Sequence, residues 1–162
     1  SIADDTWQVK NFALGDKDSE EEINISNKTV YSSILDVNEF GKSNFSNSIK
    51  VVDKQSIQVK KLDDIIRKLV NDLGKRKVFL KLDTQGYDNR VIRGALQTLK
   101  YVQILQTEIS CKGIYKDTPS VTQRLDELFS IGFNIVGIFP ISRDKNTMEI
   151  LEFDCLLIRG EK

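Results

Sequence analysis

Two acidic residues of this sequence stand at the ends of two apolar runs. Asp83 comes directly after residues 78–82, and Glu108 closes residues 102–108. Short apolar runs of this kind are typical of buried parallel strands. If the strands are neighbours, about 4.8 Å apart, the two carboxylates face one crevice at the carboxyl edge of the sheet. Such a pair can act as a general base with a partner, orient a hydroxyl group or hold a cation such as Mg²⁺.

The same residues also have structural interpretations. Acids at these positions commonly cap helix N-termini or accept hydrogen bonds from loop amides. Gln85 and Gly86 form a tight turn after Asp83, where a glycine either takes a positive φ or lets a ligand approach the backbone. Tyr115, in the loop beyond Glu108, either covers a ligand or packs on the sheet edge. The sequence leaves these alternatives open.

Composition excludes several kinds of site. The chain has 162 residues and no histidine, which excludes Ser-His-Asp and Cys-His catalysis and histidine metal sites within it. Basic and acidic residues number 24 each, so no net field favours nucleic acid. Cys111 and Cys155 lack metal-ligand spacing and are expected to be free thiols, which predicts a cytoplasmic setting. No membrane span and no signal peptide is expected, since no apolar run approaches about 18 residues.

The elements that position the two acids are predicted to be α/β. Strand patterns cover residues 7–14 and 22–26, a candidate hairpin, and residues 49–59. Helical spacing covers residues 62–73, with Gly74 as C-cap, and residues 91–99. The order of strand 78–82, helix and strand 102–108 predicts a right-handed βαβ unit with parallel strands.

The remaining segments complete one predicted domain over residues 1–162. Residues 27–50, rich in Ser and Asn, form either a lid or a plain surface loop. Thr118 and Pro119 predict the start of a third helix that ends at Gly132. Residues 133–141 and 148–158 are expected to pair antiparallel, so the prediction is a mostly parallel sheet closed by a terminal hairpin.

Several of these blocks resemble one family. The blocks are residues 80–88 (LKLDTQGYD), 91–95 (VIRGA) and 106–110 (QTEIS), with Tyr115, Gly132-Phe133 and Phe153-Asp154 further on. In order and spacing they closely resemble the FkbM-type S-adenosylmethionine-dependent methyltransferases. Residues 7–16, 31–34 and 59–64 are similar to earlier blocks of that family, so the resemblance covers nearly the whole chain.

The resemblance implies a fold, a reaction and a set of site residues. The fold is the class I methyltransferase (Rossmann-like) sheet, mostly parallel with an antiparallel last strand, and the reaction is O-methylation of a hydroxyl on a sugar, glycan or natural product. The cofactor is S-adenosylmethionine, and no metal is implied. The implied roles are catalysis by Asp83 and Glu108, cofactor binding by Ala13, Leu14, Asp83, Gln85 and Gly86, and substrate binding by Ser33 and Tyr115. Asp88 stands where many relatives carry Glu.

One departure from the family lies at the beginning of the chain. Such methyltransferases place a glycine-rich loop after their first strand and an acid after their second, whereas this sequence contains no Gly-x-Gly and starts just before the third strand. The first two strands are therefore expected to be missing, with a gap in the sheet between strands 7–14 and 78–82. Weak or absent cofactor binding by this chain alone is the consequence.

Two other functions remain as alternatives. One is a Mg²⁺-dependent hydrolase or phosphodiesterase with Asp83 and Glu108 as metal ligands. The other is a non-catalytic interaction module. The expected partners are a small-molecule or glycan acceptor, no nucleic acid and no membrane, with self-association into a homo-oligomer through exposed strand edges.

Overall fold

The computed structural model describes residues 7–45 and 49–160. Within these residues the chain forms two β-sheets, four α-helices and three short 3₁₀ helices. The strands are β1 Ala13–Leu14, β2 Ser19–Ser26, β3 Val51–Lys60, β4 Val78–Lys81, β5 Val102–Ser110, β6 Phe133–Arg143 and β7 Ile150–Arg159. The α-helices are α1 Glu39–Phe45, α2 Leu62–Leu69, α3 Asp88–Arg93 and α4 Val121–Ser130, and the 3₁₀ helices are Thr29–Tyr31, Leu73–Lys75 and Thr98–Tyr101.

The larger sheet has four strands in the order β4-β5-β7-β6. β4 and β5 pair in parallel, which confirms the predicted βαβ unit. β7 lies between β5 and β6 and runs antiparallel to both, so the predicted terminal hairpin is confirmed. The expectation of a mostly parallel sheet is not met. Two of the three pairings are antiparallel because β7 returns between β5 and β6, and the sheet is mixed.

The smaller sheet has three strands in the order β1-β3-β2. β1 pairs in parallel with β3, and β2 pairs antiparallel with β3 on its other side. The predicted hairpin between the first two strands is therefore wrong, because both pair with the later strand β3. β1 is also shorter than predicted. Only Ala13 and Leu14 join the ladder, while Trp7 and Val9 are exposed.

The main core lies on one face of the four-stranded sheet. Val91 and Ile92 of α3 and Leu128 of α4 are buried there against Leu105 and Leu157 of the central strands. Residues two apart on a strand point to the same face, which is why β5 alternates between buried and accessible positions. We call the opposite side of β4, β5 and β7 the open face. It carries Phe79, Lys81, Ile104, Gln106, Glu108, Asp154, Leu156 and Ile158.

Two helices end earlier than the apolar spacing predicts. α2 stops at Leu69, and the left-handed residue that follows is Asp72, with φ 54°, rather than Gly74, which lies in a 3₁₀ helix. α3 ends at Arg93, and residues 98–101 continue as 3₁₀ helix. The Asp63 carboxylate accepts hydrogen bonds from the Thr98 amide at 2.7 Å and the Gln97 amide at 3.0 Å. This cap starts a new helical turn, so one continuous helix is not formed.

The start of α4 also differs from the prediction. Ser120, not Thr118, is the N-cap, and its hydroxyl accepts a hydrogen bond from the Gln123 amide while the Gln123 side chain bonds back to the Ser120 amide. This reciprocal capping box satisfies two amides that the first helical turn leaves free. Gly132, with φ 90°, follows the helix end as predicted.

Both cysteines are free thiols, as predicted, with Cys111 exposed and Cys155 buried. Burial raises the pKa of the Cys155 thiol, and partial desolvation raises that of Cys111, which disfavours the reactive thiolate at both. Among the helices that the structure describes, none combines the length and apolar composition that crossing a membrane requires.

Candidate active site

The turn between β4 and α3 has an unusual backbone. Gln85 and Gly86 both adopt positive φ, 50° and 87°. A Cβ at position 86 would also lie 3.0 Å from the Thr118 methyl carbon and 3.1 Å from the Tyr115 ring. Glycine is therefore required here by conformation and by space.

Asp83 is the second residue beyond β4 and is exposed to solvent. The Lys81 ammonium lies 2.9 Å from one carboxylate oxygen, and the Gln85 side-chain amide donates to the other at 3.4 Å. Hydrogen bonding to Asp83, together with the negative charges of Asp154 and Glu108, raises the pKa of Lys81. The Asp83 carboxylate is thus held at the sheet edge by a cation on its own strand.

Glu108 stands beside Asp83 on the next strand. In the parallel ladder Lys81 is opposite Gln106, so Asp83 and Glu108 each lie two residues beyond that pair. Glu108 is partly buried, and its pKa rises from 4.5 to about 8. The cause is first its burial and then the negative charges of Glu152, Asp88, Asp83 and Asp154. At neutral pH this side chain is mostly protonated.

Two further acids on β7 extend this group. Asp154 lies opposite Glu108 in the antiparallel ladder and accepts a hydrogen bond of 2.9 Å from the Gln106 amide. Glu152 is buried, and the Ser142 hydroxyl donates to it at 3.1 Å. Burial raises the pKa of Glu152. Sequence reasoning missed Glu152, and the alternation of polar with apolar residues along 150–159 was the available signal.

An apolar cavity of about 360 Å³ lies between the two sheets. Four residues that the sequence singled out line it, namely Ala13, Leu14, Ser33 and Asp83. Gln85 and Gly86 are not part of the wall, although the adjoining Thr84 and Tyr87 are. The remaining lining residues are Phe12, Ile23, Ser32, Ile34, Leu80, Lys81, Leu82 and Val91. Lys81 therefore belongs to both the cavity wall and the open face, and Asp83, which also lines the cavity, lies at the end of that face.

A backbone contact closes one side of this region. A Cβ at Gly94 would lie 1.8 Å from the carbonyl oxygen of Gly15, so the end of α3 meets the loop after β1 without any side chain between them. Arg90 of α3 also lies 3.8 Å from Asp16 in the same loop. These contacts join the three-stranded sheet to the four-stranded one.

The two predicted substrate residues, Ser33 and Tyr115, meet at the Gln85 turn. The Ser33 hydroxyl donates to the Gln85 carbonyl oxygen at 2.8 Å and accepts from the Leu35 amide at 3.0 Å. The Tyr115 hydroxyl donates to the Tyr31 carbonyl oxygen at 2.9 Å and lies 3.2 Å from Gln85 Oε1. Tyr115 is buried, and burial raises its pKa. Both side chains hold the turn in its left-handed form.

The Ser- and Asn-rich segment is docked rather than free. Asn38 donates its backbone amide to the Ile114 carbonyl at 2.9 Å and its side-chain amide to the Gly113 carbonyl at 2.7 Å. Ile49, Ile114 and Tyr115 form a second buried apolar cluster beneath it. Among the described residues of this segment, these contacts fasten it over the loop that follows β5.

Sequence reasoning also missed a buried polar group under the turn, made of Asp88, Thr107 and Arg124. Two signals were available. Thr107 lies between Leu105 and Ile109 on the buried face of β5, and Arg124 occupies a position that helical spacing from Val121 to Leu128 assigns to the core. Within the residues that the structure describes, no group of three or more Cys, Asp or Glu side chains is arranged to hold a metal ion.

Sequence comparison places the chain in a known protein family. Residues 4–135 match the family model of the methyltransferase FkbM domain. The chain therefore belongs to the FkbM methyltransferase family, and the predicted family is confirmed. Comparison with curated proteins gives no match, and comparison with solved structures gives none.

Proposed function

We propose that this methyltransferase domain uses S-adenosylmethionine to methylate a hydroxyl group of a sugar, a glycan or a natural product. One observation carries the proposal beyond the family match: Asp83 borders both the apolar cavity and the open face that carries Glu108. A cofactor in the cavity and an acceptor on the open face would then meet at one carboxylate. Because positioning two reactants is a large part of such catalysis, this juxtaposition is the feature that matters.

The residues present fit the nucleoside part of the cofactor. The cavity volume of about 360 Å³ falls within the usual range for small-ligand sites, and its wall is mostly apolar, which suits an adenine ring. Ala13, Leu14, Leu82 and Tyr87 would hold that ring. Gln85 and Gly86 would contribute by shaping the turn that presents Asp83.

When bound, S-adenosylmethionine supplies an electrophilic sulfonium methyl group, and methyl transfer to an acceptor hydroxyl leaves S-adenosylhomocysteine and one proton. The exposed Asp83 carboxylate is the group that accepts this proton, since it is solvent-accessible and next to the acceptor surface. Glu108, with a pKa of about 8, is mostly protonated at neutral pH and donates a hydrogen bond that orients the acceptor oxygen. The two carboxyl groups thus have different roles.

The test of cofactor binding is an amide NMR titration of the full chain with S-adenosylhomocysteine at millimolar concentration. We expect shifts confined to the residues around the cavity, such as Leu14, Leu82 and Tyr87. Ala13→Leu places extra carbons into the cavity and should abolish them. Val136→Leu, on the exposed surface of β6, is the matched control and should leave the shifts unchanged.

The test of the reaction is the release of S-adenosylhomocysteine with a panel of sugars and polyols as acceptors. Asp83→Asn should remove activity, and Asp64→Asn, an acid remote from this edge on α2, should not. Absence of both binding and turnover would overturn the proposal. Shifts of the Asp83 and Glu108 carboxyl resonances with Mg²⁺ would then favour a hydrolase, and no response to either probe would favour an interaction module.

A further inference from the structure

A series of hydrogen-bonded polar side chains crosses the core directly beneath the turn between β4 and α3. Asp88 of α3, Thr107 of β5 and Arg124 of α4 are 4%, 0% and 3% exposed. Each comes from a different element, and Asp88 and Arg124 also border a small pocket together with Glu108. Placing two charged groups and a hydroxyl in this environment costs free energy unless every hydrogen bond is made.

The hydrogen bonds join end to end. One carboxylate oxygen of Asp88 accepts from the Thr84 amide at 3.0 Å and from the Thr84 hydroxyl. The other accepts from the Thr107 hydroxyl at 2.6 Å. The Thr107 oxygen in turn accepts from the Arg124 guanidinium at 3.0 Å. Asp88 is thus bonded to a residue of the turn and to a residue of β5 at the same time.

At the other end of this series of hydrogen bonds, the charge of Arg124 is balanced by an acidic side chain. Arg124 lies 3.1 Å from Glu127, whose other carboxylate oxygen is 3.2 Å from Arg93. Burial lowers the pKa of Arg124, and the charges of Asp88 and Glu127 oppose that effect. Asp88 and Glu127 therefore stabilise the positive charge of the buried guanidinium.

The two residues that Asp88 binds are the chain neighbours of the two proposed catalytic acids. Thr84 follows Asp83, and Thr107 precedes Glu108. Because consecutive strand residues point to opposite faces, a hydrogen bond on the buried side at Thr107 fixes the backbone that presents Glu108 on the open side. A buried ionic group of this kind adds little net stability compared with apolar side chains of similar size, and in some proteins such groups specify one geometry.

We propose that Asp88 is a positioning residue, which sets the relative placement of the Asp83 and Glu108 carboxyl groups through Thr84 and Thr107. The inference rests on the proposed function, since it concerns the same two acids. It assigns a role to a buried side chain that does not line the cavity between the sheets but borders a separate small pocket together with Glu108.

Asp88 also acts on Glu108 through its charge. The charged groups around Glu108 are Glu152, Asp88, Asp83 and Asp154, with Lys81 on the neighbouring strand and Arg124 in the same small pocket. The titratable Tyr115 also interacts with it. Each of the four acids makes ionisation of Glu108 harder. Removing the charge of Asp88 should therefore make Glu108 ionise at lower pH, and this effect does not follow from a purely structural role.

The experiment is a ¹³C NMR titration of the side-chain carboxyl groups in the full chain. In Asp88→Asn, which keeps the shape and removes the charge, the titration midpoint of Glu108 should fall by about 0.5 pH unit or more. Thr107→Val, which replaces the hydroxyl by a methyl group, should change the Asp83 and Glu108 carboxyl shifts, and Thr107→Ser should restore them. Asp126→Asn, on the exposed side of α4, is the control and should change neither.

Folded Asp88→Asn and Thr107→Val variants with the same carboxyl shifts and midpoints as Asp126→Asn would overturn the inference. If Asp88→Asn does not fold, Thr107→Val and Thr107→Ser decide. The titration needs no cofactor, so failure to bind S-adenosylhomocysteine would count against the proposed function alone.

Discussion

The two faces of β5 differ although they share one backbone. On the covered face Leu105, Thr107 and Ile109 are buried under α3 and α4. Packing or a hydrogen bond holds each of these side chains in place. On the open face Ile104 and Glu108 stay in partial contact with water. The comparison teaches that the covered face supplies the rigidity and the open face supplies the ionisable groups.

The largest effect should come from the covered face. Leu105→Ala removes three carbons from a side chain with no exposure, so it loses burial and leaves a cavity. We expect the free energy of unfolding to fall by about 3 kcal/mol. Urea denaturation measures this value, and a loss below about 1 kcal/mol would mean that α3 and α4 do not close over this strand.

A pH-dependent effect of intermediate size should come from Glu108. Because its pKa is raised from 4.5 to about 8, the folded state keeps a proton that the unfolded state releases. Stability from this group is full below about 4.5 and is lost as the pH rises to about 8. Glu108→Gln removes the dependence, so the variant should exceed the wild type by about 2 kcal/mol at pH 9, less than the full pKa change implies because water reaches part of the side chain.

The measurement for Glu108→Gln is thermal unfolding at pH 5 and pH 9. The difference between variant and wild type should be small at the lower pH and grow toward the higher one. Gln106→Glu is the reverse change on the same face, since it adds an ionisable carboxyl group whereas Glu108→Gln removes one. A variant with equal effects at both pH values would contradict the raised pKa.

A smaller effect should follow from Ile104→Ala, the neighbour of Leu105 on the other face. Ile104 is 39% exposed, whereas Leu105 is fully buried. The lost burial is correspondingly less and no closed cavity remains, so we expect a decrease of about 1 kcal/mol in the free energy of unfolding. Equal losses from Ile104→Ala and Leu105→Ala would show that both faces are covered in solution.

The smallest effect should come from Lys81→Met. It removes the ion pair with Asp83, whose two side chains are about half exposed at 50% and 53%. Solvent screens such pairs, so the change in unfolding free energy should stay below about 0.5 kcal/mol. Thermal unfolding at low and high salt tests this, because a pair that matters would weaken as salt is added.

Much of the βαβ unit was predictable from the sequence, for local reasons. Residues 78–82 and 102–108 are apolar runs of strand length, and an amphipathic helix lies between them. Two parallel neighbours then bring Asp83 and Glu108 to the same edge. The terminal hairpin was equally predictable, since a short polar connection joins two strand patterns.

What the sequence did not predict depends on pairing between distant segments. β1 and β2 are close in the sequence, but they do not pair with each other. The backbone hydrogen-bonding groups of both are satisfied by the later strand β3, which lies between them. The hydrogen-bonded group of Asp88, Thr107 and Arg124 could be predicted only if it were known which sides of α3, β5 and α4 pack together. Capping by Asp63 shows the same limit, because the carboxylate that caps the start of the new helical turn lies more than thirty residues away in the sequence.

The contact between Gly15 and Gly94 has a consequence for how this domain can change. Leu14, just before Gly15, and Val91, one turn before Gly94, form part of the cavity wall, so the distance between the sheets there is set by main chain touching main chain. Substitutions at lining positions can alter the chemistry of the cavity, but they leave this distance where it is. Substitutions can therefore change the depth and the polarity of the cavity. Its width is fixed by Gly15 and Gly94, two positions at which a side chain would clash.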